Sequence, residues 1–485
     1  MAGKIIHSFI WDFGGRIGNQ LVSFIIGILL ARILSPAEFG LIGMSLVFIS
    51  ISEIFTNLGL SAALVQRLNV NEEHYSSSFY LNVFAAVLLT LLFVALAPTI
   101  ALFFKTKEIA AIIRTLSLSL LISSLAVVQE ARLRKFMRFN ILAKARIVSS
   151  VISGITGITM ALAGLGVWSL VIQNLLGRTI TTSYYWLATS WKPKLLFRFK
   201  AIKELWSYGF NMFISGLIDR AYSQLDSIII ARIFSPTDLG LYTRAKSLNR
   251  FVIQYSSESI GSVTFPAMAA IQEERKRMVD LGLRAETLIA FVSFGLLGLL
   301  FVTAGPLILT LLGPKWEPSV SIYKLLCLSG FAYPVSAATL SMLRASGDSR
   351  SFLKVEVWKK IVGLAGLSIG FFYGMKGYLI SLIFTGAIAV LMNMYATGKS
   401  VGISVAHQLS VIIIYLFIAL IAAGLTSILP LHFTWPFIDL IVLGSIFSIL
   451  YAGINHMLKT PGLTLFVTEL KAVIQKIKMN FPIMK

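Results

Sequence analysis

Apolar runs of about 18 or more residues recur along this whole chain, separated by short polar breaks. A helix of that length covers the hydrocarbon core of a bilayer. Only helices and closed barrels can cross lipid with their backbone hydrogen bonds satisfied. This one feature selects an all-α polytopic membrane protein over a string of soluble domains. Composition agrees: 57% of the 485 residues are hydrophobic and 13% charged, against about 25% charged in soluble domains. About fourteen spans are predicted, the first at 14–34, the seventh at 206–233, the eighth at 239–268, the twelfth at 377–397 and the last at 434–457. The seventh and eighth are the least apolar.

A net charge of +21 would point to nucleic acid in a soluble protein. Here the basic residues crowd into alternate connections, 132–146, 192–203, 275–284 and 344–360, while 35–38, 164–166 and 235–238 carry none. Such an excess marks the cytoplasmic side. Both termini are therefore expected in the cytoplasm, and no nucleic-acid partner is expected. The single cysteine, Cys327, cannot form an internal disulfide or a thiolate cluster. Asp12, Arg16 and nearby glycines interrupt the first apolar run, so it does not read as a signal peptide. Beyond Pro461, Leu463, Phe466, Leu470, Val473, Ile474 and Ile477 can share one helix face, with lysines opposite. The expectation is a basic amphipathic tail over 459–485, lying on the headgroup surface.

The chain repeats itself. Residues 28–41 read ILLARILSPAEFGL and residues 228–241 read IIIARIFSPTDLGL, with eight of fourteen positions identical and no gap. Both copies end a span of the same direction, which makes the repeat parallel. The predicted organisation is two six-helix lobes, 1–190 and 206–397, then two extra spans over 398–458. Within each copy, Pro36 and Pro236 are expected to end one helix, and Gly40 and Gly240 to open the next. Arg32 and Arg232 are expected to anchor at the headgroups.

No catalytic or nucleotide-binding motif is present. Thr397-Gly398-Lys399-Ser400 imitates the end of a phosphate loop, but the required earlier glycine is Asn393. No zinc spacing, metal site or cofactor site is visible, and no connection is long enough for a catalytic domain. Ionisable residues inside spans are costly and so point to function. The sixth span carries Arg178, the seventh Asp219, Arg220 and Asp226, and the eighth Arg244, Lys246, Arg250 and Glu258. Asp219 and Asp226 are seven apart, on one helix face. The second span adds Ser50, Glu53 and Asn57. Two readings stand. In one, these charges pair internally, Arg220 with Asp219 or Asp226 and Arg250 with Glu258. In the other, the surplus of bases over acids lines an aqueous cavity for an anion. A diphosphate suits the second reading, because arginine grips phosphate through paired planar hydrogen bonds. Arg178, Arg220, Arg244, Lys246 and Arg250 are then the candidate cargo ligands. Asp219, Asp226, Glu258 and Glu53 are the candidate ion-coupling carboxylates.

Several stretches resemble the Wzx-type polysaccharide flippases, of the polysaccharide transporter family in the MOP (multidrug, oligosaccharidyl-lipid, polysaccharide) superfamily. They are ARILSPAEFGL at 31–41, GLSAALVQR at 59–67 with EEHYSSSFYLN at 72–82, FPAMAAIQEE at 265–274 and GPKWEPSVSIYKLLCL at 313–328. The likeness is greatest to the branch that exports colanic and teichuronic acids. It implies a MATE-like two-lobe fold in a bacterial plasma membrane. The implied cargo is an undecaprenyl-diphosphate-linked oligosaccharide, moved outward by alternating access and coupled to a proton or sodium gradient. It also implies membrane lipids as partners, contact with polysaccharide polymerase machinery, and a role for the last two spans in holding the lipid tail. Two other transport readings remain open, a flippase for the peptidoglycan lipid precursor and a multidrug exporter. A membrane enzyme is disfavoured by the short connections.

Overall fold

A computed structural model describes residues 2–429 and 433–480, with side chains described over 11–250, 264, 267–429 and 433–471. Glu258 and the tail positions Val473, Ile474 and Ile477 lie outside the described side chains. All regular structure among the described residues is helical. The chain divides into two compact units, 1–243 and 244–485.

The first unit holds α1 (Ala2–Ile33), α2 (Pro36–Asn57), α3 (Leu60–Gln66), α4 (Glu72–Phe104), α5 (Ile109–Lys135), α6 (Phe139–Leu162), α7 (Val167–Ala188), α8 (Phe199–Ile233) and the first turns of α9 (Pro236–Ala270). The rest of α9 opens the second unit. There follow α10 (Arg275–Val302), α11 (Ala304–Leu311), a short 3₁₀ turn (Pro314–Trp316), α12 (Ser319–Gly330) and α13 (Ala332–Ala345). The chain ends with α14 (Ser349–Phe372), α15 (Gly374–Val401), α16 (Val405–Ile428), α17 (Pro436–Met457) and α18 (Pro461–Asn480).

Among the described residues, ten helical segments, with α12 and α13 taken together, are long and apolar enough to cross a membrane. Their outward faces are apolar too: α4 exposes Phe84, Leu88, Leu91 and Leu92, and α16 exposes Phe417, Leu420, Ile421 and Leu425. Contiguous exposed surfaces of that kind need hydrocarbon, not water, around them. Four further helices read as spans in the sequence, α7, α8, α9 and α14, have the length but are not among the ten found in the described residues, which leave out the side chains of 251–263 in α9. The first three of these carry every candidate cargo ligand.

The repeated motif acquires a physical explanation. Ser35 caps α2: its hydroxyl accepts from the Glu38 amide at 3.4 Å, while Glu38 accepts from the Ser35 amide at 2.6 Å. Ser235 and Asp238 form the same reciprocal pair at 3.1 Å in both directions. Serine, proline and an acid two residues later thus spell a capping box with proline in the first turn. Proline therefore opens the second helix of each copy, where the sequence had suggested that it closes the first. Gly40 and Gly240 then lie inside helices, and their role is close approach. A Cβ on Gly40 would overlap the Pro236 carbonyl, and one on Gly240 the Pro36 carbonyl. The two copies cross each other at their glycines.

Hydropathy also misses local breaks. The second predicted span, 39–62, stops at Leu58 and Gly59, both with positive φ (48° and 69°), and restarts as α3. Gly59 meets the backbone carbonyl of Gly209 on α8 so closely that no side chain fits. The phosphate-loop imitation falls within and at the end of α15, with the Thr397 hydroxyl donating to the Thr339 carbonyl at 3.2 Å.

Candidate functional site

In the first unit, α2 and α8 diverge to leave a cleft of about 600 Å³. From α2 come Ser50, Glu53 and Asn57, three and four residues apart and so on one face. From α8 come Phe213, Gly216, Asp219, Arg220 and Ser223, again at helical spacing. The small residues at 216 and 223 keep α8 low on this face, which leaves room between the helices. Arg220 lies along α2, with its Nε donating to the Ser50 carbonyl at 3.4 Å. Gln224, one turn on, donates to the Ser50 hydroxyl at 2.9 Å.

Behind this wall stands Arg178 of α7. It forms an ion pair with Glu53, off the line of an aligned hydrogen bond. Its Nε donates to Asn174 Oδ1 at 3.1 Å, and Nη1, the nitrogen that also faces Glu53, donates to the Ser123 hydroxyl at 2.9 Å. The Arg178–Glu53 pair joins two predicted site residues whose link the sequence had not suggested. Each lies in a polar face of its own span, and nothing in one span names its partner in another.

The structure thus brings together four of the predicted residues: Glu53, Arg178, Asp219 and Arg220. Asp226 is elsewhere. Although it shares a helix face with Asp219, seven residues carry it about 10 Å along the axis, out of the cleft and against α9, about two turns before α8 ends. There it is buried and accepts hydrogen bonds from the Tyr242 hydroxyl at 2.5 Å and the Ser227 amide at 2.7 Å. Arg244, Lys246 and Arg250 lie on α9 within the second unit, each with an interaction of its own. Arg232 stacks over the Phe103 ring at 5.1 Å.

A second opening of the same unit, about 550 Å³, lies where α4 and α8 begin. Glu204 joins Arg67 at 2.5 Å and His74 Nε2 at 3.2 Å across it. The hydrogen bond from His74, with the Arg67 charge beside it, holds the Glu204 carboxyl below its usual range. The sequence reading missed this network; its only trace was the basic connection in which Lys200 and Lys203 sit. Among the described residues no group of three or more His, Cys, Asp or Glu could hold a metal.

Comparison with known proteins gives relatives in sequence and in fold. The model of a family described as polysaccharide biosynthesis protein matches residues 29–321. The chain is 28% identical to the teichuronic acid biosynthesis protein TuaB of Bacillus subtilis (strain 168), over 70% of this chain and 71% of that protein. It is 26% identical to the succinoglycan biosynthesis transport protein ExoT of Rhizobium meliloti (strain 1021), over 67% and 66%. Among solved structures it is similar in fold to the lipid II flippase MurJ in an inward closed conformation. There the TM-score is 0.72 at 16% identity, over 93% of this chain and 99% of that one. An inward-facing multidrug resistance MATE transporter of the MOP superfamily gives 0.62 at 15% identity, over 79% and 94%.

Proposed function

This chain belongs to the polysaccharide biosynthesis protein family, and from that premise we propose that it is a flippase for a lipid-linked oligosaccharide. It is a transporter and not an enzyme, built as a multi-pass protein of the bacterial plasma membrane with both termini in the cytoplasm. The observation that carries this reading is the cleft between α2 and α8, which sets Arg220, Asp219 and Glu53 along helices of a membrane bundle.

The physical task is narrow. A polyprenyl tail remains in lipid, but a sugar head cannot cross, because each hydroxyl would lose its water without gaining a partner. The cleft supplies hydroxyl, amide and carboxylate partners along one wall. Phe213 extends it toward a ladder of aromatic rings, with Phe210 and Trp206 stacked at 5.7 Å, a surface on which sugar rings can rest. Arg220 is the group best placed for the diphosphate. Its contact with a backbone carbonyl is long, so exchanging it for phosphate oxygens gains charge-assisted bonds. Arg178 is committed to Glu53, and a proton or cation on Glu53 would release it.

In this proposal Arg178, Arg220, Arg244, Lys246 and Arg250 meet the diphosphate at successive stages of alternating access. Asp219, Asp226, Glu258 and Glu53 are the carboxylates that couple its movement to a proton or sodium gradient. With the cytoplasm negative, moving each anionic charge outward gains about 2.3 kcal/mol per 100 mV. The test is rescue of polysaccharide export in a strain lacking its own flippase. Wild-type protein restores polymer at the surface and Arg220→Ala does not, at equal amounts in the membrane. Raised drug resistance without restored polymer would instead favour a multidrug exporter.

A further inference from the structure

The second unit contains a buried acid that the proposed cargo path does not use. Glu286, at mid-length in α10, is 1% exposed. Among the described residues its only hydrogen-bond partner is the Thr339 hydroxyl of α13, 2.8 Å from Oε1, and Oε2 has none. Among the described residues, no basic group faces it. Arg284 on its own helix, Arg344 on α13, Lys399 on α15, His407 on α16 and the α18 pair Glu469 and Lys471 are all exposed. Lys324 of α12 lies over the Phe301 ring. On α17, His456 is exposed and Asp439 accepts from the Phe433 amide. The nearby tyrosines are engaged elsewhere, Tyr415 with the Gly462 amide and Tyr451 with the Phe291 carbonyl.

The site is a polar layer between two apolar ones. On one side lie Met278 of α10, Met342 of α13 and Val401 of α15. On the other lie Ala290, Val335 and Met394 of the same three helices. Between them the three helices contribute Glu286, Thr339 and Thr397, with Thr397 donating to the Thr339 carbonyl. One turn from Thr397, the buried Asn393 amide makes no hydrogen bond among the described residues. An unpaired carboxylate sealed between such layers is far too costly to persist as an ion.

Counting hydrogens identifies what neutralises it. The Thr339 hydroxyl lies within bonding distance of two acceptors, Glu286 Oε1 at 2.8 Å and the Val335 carbonyl at 3.0 Å. A hydroxyl has one hydrogen and cannot donate to both. If it donates to Val335, as threonines in helices commonly do toward the preceding turn, the hydrogen between Thr339 and Glu286 must come from the carboxyl. We propose that Glu286 is a proton-binding site of the second unit, held in this state as a carboxylic acid that donates to Thr339. Its use as a coupling group rests on the transport reading above; the binding itself does not.

The test uses the full-length protein in lipid nanodiscs, without cargo. Infrared difference spectra should show a protonated-carboxyl band at neutral pH that disappears in Glu286→Gln. Protonation favoured in the folded state makes the stability fully present at acid pH and lost as pH rises. The melting temperature of wild type should therefore fall toward alkaline pH, and this part of the fall should vanish in Glu286→Gln. In Thr339→Val, which keeps the acid but removes its partner, the band should remain and shift. An unchanged spectrum and unchanged pH dependence in Glu286→Gln would overturn the assignment. So would stabilisation of wild type by sodium over potassium that Glu286→Gln abolishes, since the carboxylate would then be ionised on a metal. Failed export with the band intact would count against the flippase and leave the proton site standing.

Discussion

Arg178 and Glu53 form a charged pair between two helices of the first unit. Each side chain is about a third exposed or less, 30% and 25%, so the pair is partly desolvated and removing one partner strands the other. Arg178→Met should lower the melting temperature and stop export. The double variant Arg178→Met with Glu53→Gln should regain most of the stability, since neither charge is left alone, but not export. Thermal melts beside surface-polymer measurements separate the two effects. Arg220 differs, because its present contact is long and the proposed function gives it a role in binding. Losing a charge-assisted hydrogen bond costs about 1.5–3 kcal/mol, so Arg220→Ala should reduce export on the order of 10–100-fold and change stability little. Glu204 gives a pH signature of another kind. Its folded-state value is depressed, so the stability it lends is present above the ordinary carboxylate value of 4.5 and lost as pH falls through the depressed one. Acid melts of wild type and Glu204→Gln should converge there and differ at neutral pH.

At the scale of elements, the strongest constraint is the crossing of the two repeat copies. Gly40→Ala would drive a methyl into the Pro236 carbonyl, a backbone atom that cannot swing aside. The expected result is a loss of stability larger than that of Ser35→Ala, which removes a cap worth about 0.5–2 kcal/mol. Ranking the two variants by melting temperature checks it. This crossing also shows what sequence could and could not reveal. The string ARI-x-SP-x-x-x-GL announced a repeat, and its serine, proline and acid are local chemistry. The reciprocal packing of the glycines is not local, and no spacing within either copy encodes it. The same holds for the helix break at Leu58 and Gly59. Apolar content runs unbroken through it, so hydropathy joined α2 and α3, while backbone dihedrals and the nearby Gly209 carbonyl divide them.

Across the whole molecule, the helical membrane architecture was legible because lipid leaves a spanning chain so few options. The site was legible in part. Glu53, Arg178, Asp219 and Arg220 stood out as charges inside spans, and they meet around one cleft. Which charge pairs with which depended on helix rotation and packing, and periodicity in a single span carries no record of either. Glu286 went unnoticed because a lone acid near the start of the ninth predicted span, 284–312, reads as an interfacial residue. Only the apolar layers above and below it reveal how deeply it is buried. The proposed cargo, an anionic diphosphate, also sets an expectation for energetics. If the diphosphate is carried as an anion, collapsing the membrane potential in vesicles should slow outward movement, and restoring it should recover the rate.

The most direct measurement follows a fluorescent polyprenyl-diphosphate-linked sugar in proteoliposomes containing wild type, Arg220→Ala or Arg32→Ala in equal amounts. Arg32 is exposed near the end of α1 and does not line the cleft. Wild type and Arg32→Ala should bring the sugar head to the opposite leaflet at similar rates, with Arg220→Ala slower by at least about tenfold. Equal rates for all three proteins would contradict the claim that the cleft between α2 and α8 carries the cargo.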